Sequence, residues 1–414
     1  MQQPLIFRKG LDMKHAVAGA LAEDYHSSLV ETIKANDYRH ESGRLLVHLA
    51  REFGFCYGVD RAVDYAYQAR TRFADRQVFL TGEIIHNPHV NDKLRAAGVR
   101  FLSDSHEDPA RLGPEDVVIL PAFGVTVGDL QRYQDQGCTL VDTTCGSVLN
   151  VWKNVTRYAR DGYTAIIHGK YKHEETRATA SQALKFQQGR FLVVLDRAEA
   201  QEVCDYIVNG GGDRDAFLAR FAKAASSGFD PDLHLSRVGV ANQTTMLMSE
   251  SLEIAEMFRE AMTARYGADK IAEHYRAFDT ICSATQERQD AVIDLLDREP
   301  LDLMVVVGGY NSSNTCNLAR ICAGRVPTFH IADPVCLVSA DRIRHRPVPG
   351  VGAASGTGGG ASGGAGKGPV AEIESTGWLP PTGQLRVGLT AGASTPNSII
   401  GTVVERLERF AREA

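Results

Sequence analysis

Long hydrophobic runs are missing from this 414-residue chain. Its longest apolar stretches, VVILPAFGV and LMVVVGG, are of strand length, whereas a bilayer crossing needs about 20 apolar residues. No membrane-spanning helix is expected. No secretory leader is expected either: Glu23 and Asp24 closely follow the one short apolar patch near the start, and no convincing cleavage site goes with it. A cytoplasmic protein is the expectation. There is no strong excess of either charge, the formal net charge being −6, so nothing points to nucleic acid or a membrane surface. No two of the eight cysteines have CxxC spacing, which disfavours a zinc ribbon or a thioredoxin-type site, and a long chain with so few is not a disulfide scaffold. The GAGKGP segment lacks the GxxxxGK[ST] pattern and a preceding strand, so it is no phosphate loop.

What is present is ordinary soluble composition, 43% hydrophobic and 23% charged, in a chain long enough for two or three domains. Residues 1–44 read as a polar N-terminal extension with some helix. Thereafter strands (QVFLTGEIIHN, DVVILPAFG, TLVDTTC, YTAIIHGKYKHEE, RFLVVLD, SRVGVANQTT, LDLMVVVGGYNSSN, PTFHIAD, LRVGLTAGAST) alternate with segments of helical period. That alternation predicts α/β layers with parallel sheets. A glycine-rich insert over 348–370 reads as a surface loop.

Three cysteines each open a helix: Cys56 in FGFCYGVDRAV, Cys145 in VDTTCGSVLNVW and Cys282 in TICSATQERQDAV. From each, the next polar strand end lies at nearly the same distance: 86 − 56 = 30 to His86, 173 − 145 = 28 to His173, and 312 − 282 = 30 to Ser312. One supersecondary unit used three times predicts domains at 45–145, 146–281 and 282–414. A helix N-terminus favours thiolate, and thiolates are the ligands of iron–sulfur clusters. Three of them could hold a metal cluster with one metal position open.

Ligands of parallel α/β sheets sit beyond the carboxyl ends of the strands. Those ends here carry Glu83–His86–Asn87, His168 to Glu175, Gln243–Thr244–Thr245, Asn311–Asn314 and Ser394–Thr395. Hydroxyls, amides and histidines outnumber lysine and arginine, a set that with helix N-termini suits an anion such as a diphosphate. Glu174 and Glu175, taken alone, read as residues of a helix start; in a redox reaction that releases water, Glu175 would be the proton donor. Thr244 would contact substrate or relay a proton. His89 and His168 read as structural or as residues that support the site from behind, and the other five cysteines as structural.

Taken in order, FGFCYGVDRAV, GEIIHNPHVNDKL, VVILPAFGVTV, VDTTC, IIHGKYKHEET, VANQTTM, TICSATQERQDAV, VVVGGYNSSNT and LTAGASTP resemble the 4-hydroxy-3-methylbut-2-enyl diphosphate reductase family, in its plant and cyanobacterial branch. The resemblance runs from about Leu45 to the C-terminus, the insert excepted. It implies a trefoil of three pseudo-symmetric α/β domains around a central iron–sulfur cluster. It implies a [4Fe–4S] cluster on Cys56, Cys145 and Cys282, with one iron open. His86, His173, Ser312, Ser313, Asn314 and Ser394 would bind the diphosphate; Glu175 would deliver the proton and Thr244 position the substrate hydroxyl. The implied reaction is reductive dehydroxylation of the allylic diphosphate to isopentenyl and dimethylallyl diphosphates, the last step of the non-mevalonate isoprenoid pathway. Electrons would come from ferredoxin or flavodoxin, to a monomer or homodimer.

Two departures stand out. Where many bacterial members have a second diphosphate histidine in a SAHGV-like motif, this chain has PAFGV with Phe123, a change its branch shares. Gly146 replaces the usual proline after Cys145. Two other readings stay open on sequence: a non-redox hydro-lyase using the open metal as a Lewis acid, and a non-catalytic iron–sulfur or zinc protein.

Overall fold

A computed structural model describes residues 5–278, 280–348 and 371–413. The glycine-rich insert lies outside them apart from Val348. The chain divides into two compact units, one of Met1–Lys14, Arg61–Ile85 and Lys93–Ser283, the other of His15–Asp60, His86–Asp92 and Ala284–Ala414.

The first unit contains two all-parallel sheets. In one, the strand order is Ile6–Phe7, Thr139–Asp142, Val117–Leu120, Val78–Leu80, Arg100–Phe101. In the other it is Tyr275–Ala277, Val238–Asn242, Thr164–His168, Phe191–Val194. The strands Val117–Leu120 and Thr164–His168 are buried at every residue. That is why their sequences run apolar without alternation: helices cover both faces of a parallel sheet. The helix Gly146–Arg160 lays Val151, Val155, Tyr158 and Ala159 on one such face, and Gly162 beyond its end takes φ +76°, the left-handed turn that glycine tolerates.

The second unit holds a five-stranded sheet ordered Thr328–Ile331, Leu303–Val307, Leu385–Ala391, Leu45–Leu49, Arg39–Ser42. Its pairings are parallel except for the last, which is an antiparallel edge. The core lies between this sheet and the helix Asn397–Glu413, whose Ile400, Val403, Val404 and Leu407 are fully buried. A separate antiparallel pair joins Arg342–His345 to Ile373–Thr376.

The α/β class with parallel sheets agrees with expectation. Two features differ in detail. Leu45–Leu49, the apolar lead-in to Cys56, pairs with Leu385–Ala391 from the far end of the chain. Residues 1–44 are more than an extension: Ile6–Phe7 and Arg39–Ser42 are sheet edges, and two helices, Lys14–Tyr25 and Ser28–Ala35, lie between them. Among the described residues no helix is long and apolar enough to cross a membrane.

Candidate active site

In the first unit the functional side chains are linked through Thr244, just past the strand Val238–Asn242. The Thr244 backbone N–H donates to Glu175 Oε1 at 2.5 Å, and its carbonyl accepts from the Cys282 N–H at 3.4 Å. One residue therefore ties the acid to a thiol. Glu175 is only 3% exposed, while its neighbour Glu174 faces solvent. The cap of their helix, Glu174–Ala183, is neither acid: His173 takes that position, its Nδ1 accepting from the Glu175 N–H at 3.2 Å. This leaves Nε2 as the protonated nitrogen of that ring. Phe123 meets the His173 ring edge-on, centroids 6.1 Å apart. The residue that replaces a second histidine thus packs against the histidine that remains.

Gln243 braces the same region. Its Oε1 accepts from the Lys170 N–H at 3.1 Å and the Thr176 hydroxyl at 3.0 Å, and its Nε2 donates to Thr245 Oγ1 at 2.8 Å. The loop before the Glu175 helix is thereby fastened to the loop that carries Thr244. Cys145 caps the helix Gly146–Arg160 without a side-chain hydrogen bond. Its N–H donates to the Ala122 carbonyl at 2.8 Å. Two residues on, Ser147 Oγ donates to Cys282 Sγ at 3.3 Å, so the Cys145 and Cys282 segments meet through a hydroxyl-to-sulfur bond.

In the second unit the hub is Ala393–Ser394, past the strand Leu385–Ala391. The Cys56 N–H donates to the Ala393 carbonyl at 3.2 Å. The Ala393 N–H donates to Asn314 Oδ1 at 3.0 Å. Ser394 Oγ donates to the His86 carbonyl at 3.3 Å, and Asn87 Nδ2 to the Ser394 carbonyl at 2.8 Å. Cys56, His86, Asn314 and Ser394 are therefore held by one short loop. Ser312 caps the helix Ser313–Ala323, its Oγ accepting from the Thr315 N–H. Ser312 to Asn314 stand at that positive helix end, all under 7% exposed. Asn314 Nδ2 is buried with no hydrogen-bond partner among the described residues. A buried amide donor left unmade is costly, so its position at a helix N-terminus beside Ser312 and Ser313 marks a place for an acceptor-rich ligand. Gly309 permits the arrangement: a Cβ there would stand 2.3 Å from the His86 carbonyl oxygen.

The cysteine donor set suits a soft metal cluster. Cys56, Cys145 and Cys282 are unbridged thiols, each half-buried and each directly before a helix. Cys138, Cys204, Cys322 and Cys336 are buried, and burial pushes all four thiols up, Cys138 to about 11 and Cys204 to about 12. Buried, protonated thiols are poor ligands. Cys316 lies on the helix Ser313–Ala323 and donates to the Tyr310 carbonyl at 3.4 Å.

Sequence reading missed two contributors. Ser147 lies in a stretch where only the thiol drew notice. Arg288, 3% exposed, donates to the Gly54 carbonyl at 2.8 Å and holds the FGFC turn. The signal for Arg288 was available: a charged residue on the buried stripe of its helix, with Thr285, Val292 and Leu295.

Fold and side chains together define a parallel α/β protein that presents thiols, a buried acid and anion donors at the ends of its strands. Residues 47–408 match the family model described as LytB protein, and the chain belongs to that family. The 4-hydroxy-3-methylbut-2-enyl diphosphate reductase of Gloeobacter violaceus is 48% identical over 98% of this chain and 93% of its own length. The enzyme of the same name from a Synechococcus species is 47% identical over 98% and 96%. The solved structure of the E-1-hydroxy-2-methyl-but-2-enyl-4-diphosphate reductase from Plasmodium falciparum has the same fold, with TM-score 0.58 and 20% identity over 87% of this chain and 86% of that one.

Proposed function

We propose that this protein catalyses reductive dehydroxylation of (E)-4-hydroxy-3-methylbut-2-enyl diphosphate to isopentenyl and dimethylallyl diphosphates, the terminal reaction of the non-mevalonate pathway. The observation that carries the reading is Thr244, which joins a buried acid to a thiol: a proton source and a soft-metal ligand share one backbone. Identity near half over nearly the full chain to proteins of that name supports the substrate.

Cys56, Cys145 and Cys282 would hold a [4Fe–4S] cluster, which when bound supplies single electrons and an iron open to a substrate oxygen. The chain's own residues do the rest. His86, His173, Ser312, Ser313, Asn314 and Ser394 bind the diphosphate through imidazole, hydroxyl and amide donors, which fix its orientation. The Thr244 hydroxyl, which has no partner among the described residues, meets the substrate hydroxyl. Glu175, buried and oriented by the Thr244 N–H, holds the proton that leaves with that hydroxyl as water. Two electrons and two protons enter and one water leaves. The second proton goes to either end of the allylic carbon unit, which accounts for two products. A one-electron protein such as ferredoxin or flavodoxin is the donor class.

Glu175→Gln tests this assignment. It keeps an acceptor for the Thr244 N–H and removes the proton, so turnover should fall by roughly 10²–10⁴ while anaerobically purified protein keeps its brown absorption. Near-normal turnover would remove Glu175 from the mechanism.

A further inference from the structure

A cavity of about 480 Å³ opens on the first unit beside the helix Glu174–Ala183, and none of the chemistry above uses it. We propose that it binds an amphiphilic anion: an apolar chain of roughly ten carbons or more carrying a diphosphate, the size of molecule such pockets accept. Its rim carries Lys172, Arg177 and Lys223. All three are exposed, and none is paired with a carboxylate among the described residues. Lys172 lies instead over the Tyr171 ring, 5.7 Å from its centroid. Among the described residues no acidic side chain lines the cavity. Three like charges around one opening repel each other, and a multiply charged anion converts that repulsion into attraction.

The wall beneath is apolar. Phe191 and Val193, two apart on one strand, present the same face. Leu184, just past the helix, leaves 52% of its surface exposed. Bare phosphate would leave this surface wet; a hydrocarbon chain covers it. Cationic rim and apolar wall together select an anion with a tail. The choice of diphosphate rests on the function proposed above: reactions that condense the five-carbon products into longer chains make molecules of this kind, and the cavity would sense their accumulation. The wall it touches is the helix whose first turn carries Glu175.

The test is isothermal titration calorimetry of anaerobically purified holoprotein with geranyl diphosphate, and separately with pyrophosphate. Wild type is compared with an Arg177→Ala/Lys223→Ala variant and with Leu184→Glu. Binding at the active site contributes equally in all three proteins. The proposal predicts an additional geranyl diphosphate site, at least about tenfold weaker in both variants, that pyrophosphate does not fill at the same concentration. Identical isotherms for wild type and the charge variant would overturn it, as would a site that takes pyrophosphate equally well and ignores Leu184→Glu. Unchanged melting temperature and turnover show that the variants are folded. Absence of reductive turnover in every protein would instead count against the function proposed above.

Discussion

Thr244 joins Glu175 to Cys282 with its backbone, so its side chain is separable from the positioning it performs. Thr244→Ala keeps the N–H that orients Glu175 and loses one hydroxyl contact to substrate. We expect kcat/KM about tenfold lower, the worth of one hydrogen bond, with an unchanged pH profile; a shifted profile would show that the hydroxyl also sets Glu175. Ser147→Ala deletes the hydroxyl that donates to Cys282 Sγ. Hydrogen bonds to cluster sulfurs stabilise the more negative, reduced state. The variant should therefore titrate at a more negative midpoint potential, followed by electron paramagnetic resonance, and an unchanged potential would sever this bond from the cluster. Neither link was legible in sequence. Cys282 and Ser147 are 135 positions apart, and no local pattern reports a contact over that distance.

Elements were more legible than their partners. LMVVV and TAIIH are read as buried parallel strands because apolar runs bounded by glycine, proline and polar residues have few other uses. By contrast, RIRH and IEST form a strand pair whose charges mask any strand pattern. Ile6–Phe7 is too short to show a period, and that Leu45–Leu49 pairs beside Leu385–Ala391 is a matter of topology. The polar strand ends were readable as an anion site. That Asn314 would have its Oδ1 occupied and its Nδ2 buried without a partner among the described residues depends on loop geometry no motif encodes. At this scale Gly309→Ala is the incisive change. Its Cβ would clash with the His86 carbonyl oxygen and push apart the two loops that hold His86 and Asn314. KM for the allylic diphosphate should rise at least about tenfold, with a lower melting temperature from the strain. An unaltered KM would show that the loops accommodate it.

For the molecule as a whole, both units bury histidines whose affinity for a proton burial lowers, His168 in the first and His48, His330 and His345 in the second among the described residues. Burial pulls His168 in the first unit and His330 in the second down from 6.5 to about 4. Above pH 6.5 neither costs anything. As pH falls from 6.5 toward 4, the unfolded chain takes up protons that the folded one refuses. Stability then declines, by up to about 3 kcal/mol for each histidine. Thermal unfolding across that window should show a falling midpoint, less steep in His168→Asn; a flat midpoint would mean that these rings are not neutral and buried.

The central claim is that thiols, acid and anion donors serve one reductive reaction. Its most direct test is turnover of (E)-4-hydroxy-3-methylbut-2-enyl diphosphate by anaerobically purified holoprotein, with and without a strong one-electron reductant. The account predicts a brown protein that forms isopentenyl and dimethylallyl diphosphates together, and only when the reductant is present. Turnover without reductant would reveal a hydro-lyase, and a colourless protein carrying zinc would contradict the reading of the three cysteines from which the account begins.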